Sequence, residues 1–254
     1  MLQKLSRFVG SLSVPKKLLL IYLLDLSAII FITNILINEK YIAINFARKE
    51  IQGIHYIAEI RESLLDIAKN SADQSLLMRH ARHLERAETR FGEGMNSGEL
   101  NQHFIATLLA LGNDGKAQNQ RLALAAGRAL LAYIGNQSNL ILDPDLDSYY
   151  TMSLVLLRFP ELQELLALTV HKAVELDQSP ADQRNKVHTE LLILEGRLDA
   201  VLQGIDSDYA EALAAGPPTL RAALAPARDR LTAAVASFRQ HPMHIVDRGA
   251  ADRR

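Results

Sequence analysis

Apolar residues change their spacing once along this chain, and the change divides it. From Leu18 to Ile37 the sequence reads LLLIYLLDLSAIIFITNILI, an almost unbroken apolar run of twenty residues. At a rise of about 1.5 Å per residue it matches the roughly 30 Å hydrocarbon core of a bilayer. Nothing later in the chain resembles it. Beyond Ile37 the apolar positions become periodic. Ile54, Ile57, Ile60, Leu64 and Ile67 recur every three or four residues, one stripe on a helix. No Pro and no Gly pair interrupts Glu39 to Asn70, so the spacing predicts a helix that runs out of the apolar stretch without a break.

The same period continues between short polar punctuation marks. Ser71-Ala72-Asp73 supplies a break and a cap, and Gln74 to Phe91 reads as a second helix. Gly92, Gly94, Asn96 and Gly98 predict a loop, followed by a short helix over Glu99 to Leu111 and a turn at Gly112-Asn113-Asp114-Gly115. Lys116 to Leu142 is helical in pattern, with Leu122, Leu130, Leu131 and Ile134 apolar. Asp143 then caps, and Pro144 fits a first helical turn, where its missing N–H has no helical partner. The next helix spans about Asp145 to Asp177, kinked at Pro160, and Ser179-Pro180 starts another. In that one Val187, Leu191, Leu194, Leu198, Val201 and Ile205 step by four and three, a heptad seam. Gly216-Pro217-Pro218 ends it, and Thr219 to Gln240 forms the last helix. No alternating strand pattern of useful length occurs. The predicted fold is all-α, an N-terminal transmembrane helix continuing into an up-and-down antiparallel helical bundle. Its parts are a leading segment 1–17, the membrane helix 18–37, the bundle 38–240 and a disordered tail 241–254.

Asp25 sits within the apolar run. An acid at the centre costs about 2.5–3.5 kcal/mol on an insertion scale, against roughly −0.3 to −0.6 for each Leu, Ile or Phe, and the apolar sum prevails. With Ser27 and Thr33 nearby, Asp25 reads as part of a polar helix–helix seam ahead of an intramembrane functional acid. The run is longer than a signal-peptide core and leaves through Ile35-Leu36-Ile37-Asn38-Glu39-Lys40 without a small-x-small site, which predicts an uncleaved anchor. Lys4, Arg7, Lys16 and Lys17 precede it and favour a cytoplasmic N-terminus; Lys40, Arg48 and Lys49 weaken that vote.

Composition narrows the chemistry. The formal net charge of −1 offers no global field for nucleic acid. With no cysteine the chain has no disulfide, no thiolate metal site and no Cys nucleophile. No nucleophile elbow, phosphate loop or HExxH is present, so an enzyme is not expected, and no cofactor is implied. Arg79, Arg82, Arg86 and Arg90 form a basic stripe with His80 and His83 beside it. It reads as a solvated face paired with Glu85 and Glu88, with an anion site as the rival. Two His at i, i+3 without a third ligand motif make a weak metal case. Asp143, Asp145 and Asp147 resemble the opening of a calcium loop. Ser148 stands where the turn Gly belongs and Leu154 where the bidentate Glu is needed, so a capped helix start is the better reading. Tyr149 or Tyr150 is expected to plug the core with its hydroxyl on a polar partner.

Two segments resemble a known family. Glu50-x-x-Gly53-x-x-Tyr56 follows the apolar run, and Asn139-Leu140-x-Leu142-Asp143-Pro144-Asp145-Leu146-Asp147-Ser148-Tyr149-Tyr150 comes later, followed by Pro160. Together they resemble the periplasmic helical sensor region of bacterial transmembrane signalling proteins, found in methyl-accepting chemotaxis receptors, sensor kinases and diguanylate cyclases. The resemblance covers roughly residues 14 to 240. It implies a helical bundle outside the inner membrane, a homodimer, and an input module for a small-molecule ligand or a periplasmic binding protein; with the one apolar run of this chain the expectation is a single-pass inner-membrane protein with its bulk periplasmic. Tyr56, Arg79, Arg82, Arg86, Asp147, Tyr149 and Tyr150 are its candidate ligand residues. Family members continue into a second membrane helix, a HAMP linker and an output module. Here RQHPMHIVDRGAADRR follows Phe238 with no apolar run, and Thr151 and Ser153 flank Met152 where the family more often has an apolar residue and an acid. The expectation is therefore a sensory module truncated before its output. The alternative is an anchored helical scaffold without a small-molecule ligand.

Overall fold

The computed structural model describes residues 13–69, 72–142 and 145–251. Lys4, Arg7, Asp143 and Pro144 lie outside the described residues, as does the end of the tail at 252–254. Among the described residues there is no strand, and the fold is all-α. The chain divides into two compact units, Met1–Arg48 and Lys49–Arg254.

Helix α1, Val14–Ala68, opens the fold. Leu18 to Ile37 is solvent-exposed throughout, and this stretch is long and apolar enough to cross a membrane. Farther on, α1 buries Gly53, Tyr56, Ile57, Ile60, Leu64 and Ile67. Ile54, assigned to this stripe from its spacing, is instead half exposed on the outward side; Gly53 and Tyr56 hold the start of the buried face.

Helix α2, Gln74–Ala87, begins at Asp73, whose carboxylate accepts from the Ser75 and Leu76 backbone N–H groups. That satisfies two of the donors a helix start leaves open. The expected glycine loop at 92–98 does not form. α2 widens into a π turn, Glu88–Gly92, and continues as the short α3, Glu93–Met95. The chain reverses at Asn96, left-handed at φ 52°. Helix α4, Gly98–Asp114, ends at Gly115 with φ 61°. Helix α5 spans Ala117–Gln137 and stops short of Leu142, because Asn139 takes a positive φ of 67°, before a 3₁₀ turn at Leu140–Leu142. Leu122 is exposed while Leu130, Leu131 and Ile134 are buried.

The next segment starts at Leu146 with Asp145 as the N-cap residue. It runs as α6, Leu146–Ser153, a π turn, Leu154–Arg158, and α7, Phe159–Gln178. Pro160 gives no backbone N–H, and its ring cannot sit against the carbonyl four residues back. The wider turn just upstream makes room for it. Helix α8, Ala181–Ala215, has Pro180 at its N-cap; Ser179 does not cap it but donates to the Glu175 carbonyl. Helix α9, Pro218–Ala251, extends past Gln240, where the sequence pattern placed its end.

The Lys49–Arg254 unit holds two main apolar cores. The first gathers α1, α2, α4 and α5, with Leu64, Leu77, Leu84, Phe104, Leu108, Leu130 and Leu131 almost wholly buried. The second joins α7, α8 and α9 along the predicted heptad seam, continued by Tyr209. A small third cluster, Leu176, Val187 and Leu191, closes the α7–α8 end. Each fully buried Leu or Ile contributes about 1.5–3 kcal/mol. Leu156 against Gly135, the Arg128–Glu164 ion pair and the Gln120–His171 hydrogen bond tie the two cores together.

Two helical glycines separate packing from propensity. A Cβ on Gly127 would lie 2.6 Å from Leu64 Cδ2 and 2.8 Å from Phe104 Cζ, whereas one on Gly196 would meet nothing within 4 Å. Gly127→Ala is expected to lose about 1–3 kcal/mol of stability through overpacking. Gly196→Ala should gain about 0.4–1 kcal/mol. Urea denaturation of the two variants checks the opposite signs.

Candidate functional site

The candidate site begins with Tyr56, which the α1 stripe drives fully into the first core. A phenol there needs a partner for its O–H. Glu88 supplies it, accepting from Tyr56 Oη at 2.6 Å and from Ser97 Oγ at 2.7 Å on the same oxygen, Oε2. The π turn at Glu88–Gly92 brings this carboxylate inward. Gly92 is what lets it lie there, because a Cβ would overlap the Glu88 carboxyl group. Burial, followed by the hydrogen bond to Glu88 and its negative charge, pushes the Tyr56 phenol well above its ordinary value. The group is a neutral donor bound to a carboxylate. Phe91 closes the site, its ring centroid 6.5 Å from that of Tyr56 and stacked on His55 at 6.1 Å, with the Arg90 guanidinium over the Phe91 ring at 5.2 Å. Gly53, the other small member of the α1 motif, lies against Ser138, where any side chain would collide.

Arg79, Arg82 and Arg86 are exposed on α2. Their expected pairing with Glu88 fails, since Glu88 turns inward. Arg82 Nε donates to the Met78 carbonyl and Arg86 Nε to the Arg82 carbonyl, each at 3.3 Å. The histidines face α1 rather than a metal. His80 is buried with its Nε2 2.9 Å from Asp66, and His83 Nδ1 lies 3.1 Å from Glu59. The His80 hydrogen bond, assisted by Lys69, holds the Asp66 carboxyl below the usual carboxylate range.

Tyr149 and Tyr150 do not plug the core. Helix α6 buries no residue, Tyr149 is 46% exposed, and the two rings meet edge to face at 5.2 Å. Asp147 accepts from the Ser148 backbone N–H, as an acid in a first helical turn does. Among the described residues no group of three His, Cys, Asp or Glu side chains could hold a metal. No described hydrogen bond, ion pair or ring contact joins Tyr56, the α2 arginines and the α6 tyrosines, so the seven candidates fall at three separate places.

Sequence reasoning missed two further polar sites. Asp208 on α8 accepts from Ser153 Oγ at 2.7 Å and Arg158 Nε at 3.0 Å, while the Arg158 guanidinium lies against Gly204. Gln120 is buried on α5. It donates to the Ile67 carbonyl at 2.7 Å, near the open end of α1, and its other amide atom meets His171 Nε2 at 2.6 Å. Beside this pair opens a cavity of about 430 Å³ walled by Leu166, Val170, Val174 and Phe238, with Lys69 at its edge. That is within the size range of small-ligand sites. The signal was available: Gln120, Glu88 and Asp208 each fall on a three-four apolar seam where a hydrophobe is expected.

Compared with known proteins, the chain matches no family model, no curated protein and no solved structure.

Tyr56 gives this site a pH signature. Its folded pKa lies above the unfolded value near 10, so its contribution is fully present below about pH 10 and is lost as pH rises further. Tyr56→Phe is expected to flatten the alkaline limb of the stability–pH curve. At pH 7 it should cost about 1.5–3 kcal/mol, the range for a hydrogen bond to a charged group. Chemical denaturation from pH 7 to 11 reads both.

Proposed function

We propose that this chain is the membrane-anchored sensory input module of a bacterial transmembrane signalling protein, resembling those of chemoreceptors and sensor kinases. In this reading Leu18 to Ile37 lies in the inner membrane with the N-terminus cytoplasmic, and the Lys49–Arg254 bundle stands in the periplasm. The observation that carries it is that one helix, Val14–Ala68, holds both the exposed apolar stretch and the first wall of the bundle core. Movements of about 1–2 Å between packed helices are an established switching mode, and a ligand biases such a pair of packings only by its differential affinity.

The ligand site in this reading is the cavity beside Gln120 and His171. It combines apolar walls with a preset pair of polar groups, the usual composition of a small-molecule pocket. It also touches both cores, through α5 and α7, and reaches the end of α1 at Ala68. The arginine stripe and the α6 tyrosines are not part of it.

A thermal-shift screen of amino acids and organic acids against the full chain in detergent tests the reading. A cognate metabolite at 100-fold over its Kd should stabilise the bundle by about 2.7 kcal/mol, and Val174→Trp, which fills the cavity from an exposed position, should abolish that gain while leaving the unliganded protein folded. No stabilisation by any compound would favour the anchored scaffold, and a gain that survives Val174→Trp would move the ligand elsewhere.

A further inference from the structure

The cavity beside Gln120 and His171 discriminates by charge. Leu166, Ala167, Val170, Val174 and Phe238 give it apolar walls. Val170 and Val174 are 46% and 50% exposed, so these walls open to water. Covering them is favourable for any apolar body that fits. The polar groups decide which apolar body is taken. Gln120 Nε2 donates to the Ile67 carbonyl at 2.7 Å, which leaves Oε1 facing His171 Nε2 at 2.6 Å. An amide oxygen only accepts, so His171 carries its proton on Nε2. Both ends of the amide and one side of the imidazole are thereby engaged within the protein.

Lys69 supplies the charge. Its ammonium lies 3.2 Å from Asp66 Oδ1, which occupies one of three N–H donors and leaves the others for a ligand. Among the described residues no Asp or Glu lines the cavity. Asp66 stands outside the lining, with Lys69 on one oxygen and His80 on the other. A ligand carboxylate at this edge meets a cation with donors to spare. A ligand ammonium meets the same cation and no carboxylate, and an uncompensated charge beside apolar walls is costly. A second carboxylate on the ligand would have to lie against Leu166 or Val170, at the same kind of cost.

We propose that this cavity takes a monocarboxylate with an apolar body, aromatic or branched, its carboxylate at Lys69 and its body against Phe238, Val170 and Leu166, and that it rejects the amino acid built on the same body. This rests on the cavity being the ligand site of the sensory reading, and it names the chemical class that site accepts. The Lys69 side chain is 70% exposed, where an ion pair contributes little. The carboxylate therefore sets selectivity, and the apolar body sets affinity.

Three compounds sharing one phenylethyl body test the charge rule: 3-phenylpropanoate, phenylalanine and 2-phenylethylamine, each titrated calorimetrically into the full chain in detergent. 3-Phenylpropanoate is expected to bind about tenfold more tightly than either of the others, or better. Val174→Trp should abolish its binding, and Lys69→Gln, at an exposed position, should weaken it about two- to fivefold. From butanoate to hexanoate each added CH₂ should tighten binding about fourfold. Phenylalanine or the amine binding as tightly as the acid would overturn the proposal. So would no binding of the acid, or acid binding that is unchanged in Val174→Trp or in Lys69→Gln. Phenylalanine binding that is lost in Val174→Trp would sink the class and leave this cavity the ligand site, whereas the sensory reading itself fails only when no compound of the wider screen stabilises the bundle.

Discussion

The rest of the structure is arranged around one uninterrupted helix whose side-chain pattern changes along its length, apolar on all sides in its first part and with one buried face in its second. In its first part α1 exposes Leu, Ile and Phe on all sides, over a stretch long and apolar enough to cross a membrane. In its second part it turns Gly53, Tyr56, Ile60 and Leu64 into a protein core. No Pro marks the change. Only the periodicity of the side chains changes, from continuous to three-four, and the backbone hydrogen bonds run through both regimes.

The bundle then solves a problem of its own making. Long amphipathic helices with Leu-rich seams pack in many registers, and buried polar groups discriminate among them. Three polar groups sit on seams here, Gln120 and Asp208 buried and Glu88 half-buried. Glu88 takes the Tyr56 and Ser97 hydroxyls, fixing α2 against α1. Gln120 takes the Ile67 carbonyl and His171, fixing the end of α1 against α5 and α7. Asp208 takes Ser153 and Arg158, fixing the α6–α7 segment against α8. Each joins helices far apart in sequence, and each would leave a buried polar atom without a partner if a helix slid by one turn. Two of the three involve a π turn, where one extra residue re-aims a side chain that a regular helix would leave elsewhere.

Much of this was legible in the sequence. The apolar run, the Asp73 cap, the heptad seam of α8 and the Gly-Pro-Pro stop are local signals, and local signals survive folding. What was not legible required long-range information. The π turn at Glu88–Gly92 is invisible to periodicity, so Gly92 and Gly94 read as a loop although Gly92 serves to admit a carboxylate. Helix ends set by Asn96 and Asn139 in the left-handed region were placed wrongly, because Asn tolerates that region without demanding it. Tyr149 or Tyr150 looked like a core residue from its type, yet α6 buries no residue and Tyr149 stays exposed. The polar residues on the seams were visible as exceptions to the pattern, and those exceptions proved more informative about the candidate site than the arginine stripe.

The account depends on where the water stops along α1. Single cysteines placed at Ile30, in the apolar run, and at Gln52, beyond it, can be challenged with a membrane-impermeant maleimide on intact cells. The account predicts rapid labelling at Gln52→Cys and none at Ile30→Cys, even after the cells are opened. Labelling of Ile30→Cys at the same rate as Gln52→Cys would contradict it.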